Sequence, residues 1–168
     1  LSDASKELAE FVELVDAPVC DTLMGKGGFD GTNKRYMGML GMHGTKVSNL
    51  AVCKCDLLIA VGVRFSDRVL GNPSTFAKDA KILQIDIDPA EINKNVVVDA
   101  EVIGDIKEVL TKLNASMNKA QHKAWMKEIA ELQKELPLVY ETEDDRLTGP
   151  AVIESIYKAT KGDAIMVT

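Results

Sequence analysis

The chain has 168 residues, 46% hydrophobic and 27% charged, with a formal net charge of -6, a composition that excludes intrinsic disorder. The acidic balance argues against a nucleic-acid surface, which requires clustered Lys and Arg. No apolar run approaches the roughly 18 residues of a membrane helix and no signal-peptide pattern opens the chain, so no membrane association and a cytoplasmic location are expected.

In chain order, Ala4, Leu8, Phe11, Val12 and Val15 fall at helical spacing behind Ser2-Asp3 and predict an amphipathic helix. Ala17 to Cys20 reads as a short strand that runs into a first glycine-rich loop, Asp21 to Gly28. A second such loop spans Gly38 to Gly44, and Thr45 to Val52 follows as a short helix. Leu57 to Val61 is a continuous apolar run, the pattern of a parallel strand covered on both faces. The next strand, Ile82 to Ile87, ends at Asp88-Pro89-Ala90-Glu91, where a capping residue and a proline predict a helical turn. Val96 to Ile103 supplies a further strand, and Asp105 with Glu108 caps a helix carrying Ile106, Val109, Leu110 and Leu113.

Strands and helices alternate through this region, which predicts an α/β fold, an open Rossmann-like parallel sheet with helices on both faces. The texture then changes. Trp125, Ile129, Leu132 and Leu136 mark a charged helix that stops at Pro137, residues 141–146 form an acidic link, and Pro150 opens a helix through Val152, Ile153, Ile156 and Tyr157. Gly162 ends that helix and Ala164 to Thr168 reads as a strand. The expected division is an α/β domain over 1–117 lacking its first strand, a helix and linker over 118–147, and the opening of another domain over 148–168. Both ends read as cuts in a longer polypeptide.

Three cysteines, Cys20, Cys53 and Cys55, are too few for a disulfide framework and read as reduced core thiols. His43 and His122 lie too far apart for a local metal motif, and no metal site is expected. Gly38, Gly41 and Gly44 depart from the dinucleotide fingerprint; they form either a plain loop or a set of amides facing an anionic cofactor. Arg64 and Arg68 flank the turn after an apolar strand, where open α/β sheets bind ligands. Either Arg64 pairs with Asp67 or another carboxylate on a surface turn, or the two arginines grip a pyrophosphate or carboxylate. Asp86 is placed to accept from a ribose hydroxyl or to serve the backbone, whereas Asp88 and Asp105 suffice as helix caps. Met37, Met39 and Met42 either line an apolar pocket or fill core.

Taken together, Thr22-Leu23-Met24-Gly25, Leu40-Gly41-Met42-His43-Gly44, Arg64-Phe65-Ser66-Asp67-Arg68-Val69 and Ile85-Asp86-Ile87-Asp88-Pro89 resemble the central domain of the acetohydroxyacid synthase (acetolactate synthase) family, over nearly the whole chain. The resemblance implies a thiamine-diphosphate-dependent transferase of three α/β domains whose middle domain holds FAD in an extended pose. It implies a flavin site lined by Thr22, Leu23, Met24, Leu40, Gly41, Met42 and His43, continued by Gly62, Val63, Arg64, Asp67, Arg68 and Val69. Asp86, Ile87 and Asp105 lie toward the adenosine end, and Arg68 resembles an arginine that recognises the carboxylate of the second substrate.

The implied chemistry is decarboxylation of pyruvate on thiamine, then condensation with pyruvate or 2-oxobutyrate, toward branched-chain amino acids. Thiamine diphosphate and magnesium belong to flanking domains in this resemblance, as does the activating glutamate. No catalytic residue is therefore expected in these 168 residues, which alone are expected to be inert and to bind FAD weakly or not at all. Flanking thiamine-binding domains, a regulatory subunit and homo-oligomerisation of the full-length enzyme are the expected partners. Ser66, where many relatives carry Asp, and Lys26 depart from the family pattern. Two other readings stand beside it: the middle domain of a different thiamine-dependent decarboxylase or carboligase, and a non-catalytic scaffold of nucleotide-binding shape.

Overall fold

The computed structural model describes residues 2–140 and 147–167, which form two compact units, Leu1–Leu136 and Pro137–Thr168. In the first unit, helix α1 (Ser5–Val15) leads to strand β1 (Val19–Asp21), strand β2 (Tyr36–Met39) and helix α2 (Lys46–Lys54). Strand β3 (Leu57–Val61), the single-turn helix α3 (Asp67–Leu70), β4 (Lys81–Asp86), β5 (Ala100–Ile103), α4 (Ile106–Ser116) and α5 (Lys123–Glu135) follow.

All strand pairs are parallel, as the alternation predicts. The open sheet, however, is divided: β1 pairs with β2 alone, and β3, β4 and β5 form a second sheet in that order. Leu57 to Val61 register with Lys81 to Ile85, and Leu83 to Asp86 with Ala100 to Ile103.

Helices cover both faces of the three-stranded sheet because its side chains alternate. Ile59, Val61, Leu83 and Ile85 face Phe11 and Val15 of α1 and Leu110 of α4. Ala60 and Ile82 lie on the other face, with Val52 of α2, Phe65 and Leu70. A third cluster joins Met37 of β2 and Val47 and Ala51 of α2 to Ile129 of α5. The Arg35 guanidinium, nearly buried, ties α1 to the start of β2 by hydrogen bonds of 2.8 Å to both Glu13 and Asp16.

Several boundaries shift for identifiable reasons. The first strand starts at Val19 rather than Ala17, because the Ala17 amide returns to the Val12 carbonyl and Pro18 has no N–H to offer a ladder. Strand β2 occupies part of the stretch expected as loop, so the second loop begins only at Leu40. The strand expected from Val96 begins at Ala100, since the Val98 amide donates to the Asn93 side chain at 2.9 Å and not to a neighbouring strand. Cys53 is exposed on α2 and is not a core thiol; Cys20 and Cys55 are partly covered.

The second unit holds α6 (Gly149–Thr160), capped by Thr148 and closed by left-handed Lys161 ahead of Gly162. The strand expected at Ala164–Thr168 does not form over Ala164–Val167, where no strand of that unit is available as a partner among the described residues. Thr168 and the acidic link at 141–146 lie outside the described residues.

Candidate functional site

In parallel α/β sheets the loops at the carboxyl ends of the strands are where ligands bind. The loop after β1 opens with Thr22, which caps a single 3-10 turn by accepting from the Gly25 amide at 3.2 Å. This turn leaves Leu23 and Met24 exposed, at 66% and 93% of their surface. Apolar side chains held in solvent by a capped turn need a covering group or are a standing cost.

The loop after β2 is pinned from two sides. Asn49 of α2 accepts from the Gly41 amide at 3.2 Å and donates to the Gly41 carbonyl at 3.1 Å, clamping both polar groups of that peptide. On the other side the Met42 amide donates to the Arg68 carbonyl at 2.8 Å. Gly41 has φ +101°, and a β-carbon there would lie 2.4 Å from the same carbonyl oxygen. Only glycine lets the two loops meet this closely. Met42 and His43 are left exposed at the tip, while Leu40 is buried in the core beneath.

The turn after β3 carries both arginines. Phe65 adopts a left-handed φ of 50° and is buried edge-to-face against Phe76, with ring centroids 6.0 Å apart. Such strain in a non-glycine residue persists only where packing over-determines it. Here burial of Phe65 leaves its neighbours Arg64 and Arg68 in solvent. Among the described residues Arg64 makes no ion pair, so the expected alternative of pairing with Asp67 does not hold for it. Arg68 approaches Asp67 only at 3.5 Å with both side chains largely exposed, a contact worth little.

Two side-chain amides, one buried and one exposed, hold this turn in place. Gln84 of β4, fully buried, donates to the Val63 carbonyl at 3.1 Å, and Asn95 donates to the Arg64 carbonyl at 3.1 Å. Neither was marked by the sequence: Gln84 sits inside an apolar strand and Asn95 in a run without periodicity.

After β4, Asp86 is buried, and one carboxylate oxygen accepts from the Asp88 amide at 3.0 Å; its other oxygen takes no hydrogen bond among the described residues. Asp88 caps the following 3-10 turn through the Ala90 amide, and Asp105 caps α4 through the amides of Lys107 and Glu108. Ile87 is exposed. The Gly62 amide donates to the Ile85 carbonyl and the Gly104 amide to that of Asp86, so the last three loops are laced into one edge.

The expected residues thus separate into groups. Gly41, Met42, Arg68 and Val69 meet directly, Gly62 to Arg64 adjoin Asp86 through the sheet, and Thr22 to Met24 stand on the loop after β1. The methionines divide, with Met37 in core and Met42 in solvent. Near the first loop, Asp21 accepts from the Tyr36 hydroxyl at 2.8 Å, and burial followed by this bond to Asp21 pushes the phenol well above its ordinary value.

A family model described as "Thiamine pyrophosphate enzyme, central domain" matches residues 1–113. The chain belongs to the thiamine pyrophosphate enzyme central-domain family. A probable acetolactate synthase large subunit of Methanocaldococcus jannaschii is 52% identical over 137 residues, covering 80% of this chain and 23% of that protein. The acetolactate synthase large subunit of Cyanidium caldarium is 45% identical over 93% of the chain and 28% of its own length. Isozyme 3 of Escherichia coli, also a large subunit, is 37% identical over 95% of the chain and 29% of its own length. The chain therefore spans between a fifth and a third of the length of these relatives. No helix among the described residues is long and apolar enough to cross a membrane.

Proposed function

We propose that this chain is the central domain of an acetolactate synthase large subunit, and that its carboxyl-end rim holds FAD. The observation that carries the reading is the seam between the second and third loops. The Met42 amide on the Arg68 carbonyl and the clamp of Asn49 on Gly41 set an exposed methionine beside an arginine that no strong ion pair neutralises among the described residues.

The donor set fits a flavin dinucleotide. Leu23, Met24 and Met42 are exposed apolar groups for a ring, Arg64 and Arg68 are cations for a diphosphate, and the free oxygen of Asp86 is an acceptor for a ribose hydroxyl. Thr22, Leu40, Gly41, His43, Gly62, Val63, Asp67, Val69, Ile87 and Asp105 complete the proposed lining. Leu40 and Asp105 act there by supporting backbone, since one is core and the other a helix cap. When bound, FAD in such an enzyme supplies structure, because the condensation has no net redox change.

The whole enzyme, on this reading, decarboxylates pyruvate on thiamine diphosphate and joins the fragment to pyruvate or 2-oxobutyrate. Residues 148–168 open the domain that carries thiamine diphosphate and magnesium. Several relatives are named large subunits, and this chain's parent is likewise expected to associate with a smaller regulatory subunit and with further copies of itself. A cytoplasmic location is proposed, although some relatives are named chloroplastic.

The test is acetolactate formation by the longer enzyme. Arg68→Ala is expected to raise the KM for the acceptor 2-oxo acid by at least tenfold, the loss of a charge-assisted hydrogen bond of about 1.5–3 kcal/mol. An unchanged acceptor KM removes Arg68 from substrate recognition, and absence of acetolactate in the wild-type enzyme overturns the assignment. The 168 residues alone are expected to form no acetolactate and to bind FAD more weakly than about -8 kcal/mol, a micromolar Kd.

A further inference from the structure

The methionines of this chain stand in very different surroundings. Met37 is buried with Val47, Ala51 and Ile129, and Met39, Met117 and Met126 are partly covered. The Met126 sulfur also accepts from the Arg35 guanidinium at 3.5 Å, which engages one of its lone pairs. Met24 and Met42 are 93% and 65% exposed, and both lie on the rim. Met166, also exposed, belongs to the second unit.

The backbone holds these two thioethers out of the core. Asp21 of β1 and Met39 of β2 are register partners, and Met24 and Met42 lie a few residues beyond them, on loops that rise from one carboxyl edge. Met24 sits in a turn closed by the Thr22 cap and by the Gly28 amide on the Gly25 carbonyl at 3.0 Å. Met42 is fixed by its own amide on the Arg68 carbonyl and by the Asn49 clamp on the preceding residue.

Exposure decides reactivity here, because oxidation of methionine follows access to the sulfur. The product matters as much. A thioether is apolar, polarizable and flexible, and makes favourable contacts with aromatic rings. A sulfoxide is polar and chiral, and a ring laid over it buries the new oxygen away from water.

We propose that Met24 and Met42 form an oxidation-sensitive pair, through which hydrogen peroxide releases the flavin from this rim. The inference rests on the assignment of the rim to FAD. In the step, a sulfur lone pair attacks one peroxide oxygen, the O–O bond breaks and an S–O bond forms. The departing hydroxide takes the proton left on the transferred oxygen and becomes water. The sulfur has then lost two electrons, which the peroxide has gained. Bound flavin covers both sulfurs and shields them; once it departs they react, and the sulfoxides oppose its return. A methionine sulfoxide reductase, drawing two electrons from thiols, reverses the change and releases the oxygen as water. Cys53 is a second exposed, oxidisable group, but it lies near the end of α2 that leads into the start of β3, at the opposite edge of the sheet.

The test uses the longer enzyme, freed of flavin and treated with hydrogen peroxide. Peptide mass mapping is expected to find Met24 and Met42 gaining one oxygen at least about tenfold faster than Met37, and saturating FAD is expected to slow both. The Kd for FAD is then expected to rise at least about tenfold, the order expected when a polar group is buried in place of an apolar one. Methionine sulfoxide reductase with dithiothreitol is expected to restore it, and dithiothreitol alone is not. The double variant Met24→Leu, Met42→Leu, compared with itself before and after peroxide, is expected to show no shift. Recovery with dithiothreitol alone assigns the loss to a cysteine and overturns the proposal, as does oxidation of Met37 ahead of the rim pair or an equal shift in the double variant. Flavin bound with one affinity before and after both sulfurs are oxidised refutes the pair and leaves the cofactor reading standing. An untreated enzyme that binds no flavin removes both.

Discussion

Gly41→Ala tests the seam on which the site is built. The new methyl would lie 2.4 Å from the Arg68 carbonyl oxygen and 3.1 Å from the Val69 Cα, both backbone atoms that cannot rotate away. At φ +101° an L-residue is strained by about 1–3 kcal/mol, and forcing apart a packed contact adds about 1–3 kcal/mol. The expected destabilisation is about 2–6 kcal/mol, measured by urea denaturation of the isolated chain. Gly27→Ala is the control, because its φ is +85° but nothing lies within 4 Å of the added carbon. It isolates conformational strain, so the difference between the variants reports the loop contact. The Met42 amide, freed from Arg68, is expected to lose its exchange protection in Gly41→Ala alone. Equal costs for the two substitutions, with Met42 still protected, would refute the claim that the loops meet through this glycine.

Three further outcomes are expected. The Arg35 hydrogen bond holds Glu13 below the ordinary carboxylate range, and the His122 backbone amide followed by Arg35 does the same for Asp16. Depressed carboxylates contribute stability above their unfolded pKa values, near 4, and lose it as pH falls through the lower folded values. Stability is therefore expected to drop on acidification from about pH 5 to pH 3, and Arg35→Met, costing about 2–3 kcal/mol at neutral pH, is expected to flatten that drop; equal slopes in denaturation profiles would contradict it. Iodoacetamide at pH 8 is expected to label exposed Cys53 first, since burial pushes the Cys20 thiol up to about 12 and the Cys55 thiol up to about 11; peptide mapping that finds Cys20 first would count against the packing around β1. Gln84→Leu, which leaves the Val63 and Glu91 carbonyls without their donor, is expected to cost about 1–3 kcal/mol by thermal or urea denaturation, and a neutral result would show that the turn after β3 does not depend on this bond.

Much of the fold was legible because covalent geometry and caps act locally. Asp105 and Asp88 cap where their sequence context indicates, each accepting from an amide two residues on. What escaped was set by neighbours distant in sequence. Gly38 and Met39 read as loop because of the glycine spacing, and lie in the strand Tyr36–Met39 because β1 and the buried Ser48 hydroxyl engage it, the latter at the Met37 and Gly38 carbonyls. The division of the sheet could not be read from Leu57 to Val61, whose apolar run is the same whether one or two strands flank it. At the site, the glycines and arginines stood out by residue type, whereas Asn49, Asn95 and Gln84 position the loops through hydrogen bonds that leave no periodic trace.

The most direct measurement is an equilibrium FAD titration of the longer polypeptide, wild type against Arg64→Ala, with Lys127→Ala on the outer surface of α5 as the charge control. Loss of one charge-assisted contact to a diphosphate is expected to weaken binding by roughly 10- to 150-fold for Arg64→Ala and to leave Lys127→Ala at the wild-type affinity. Indistinguishable affinities for all three proteins, or no saturable flavin binding in the wild type, would contradict the assignment of the rim as a dinucleotide seat.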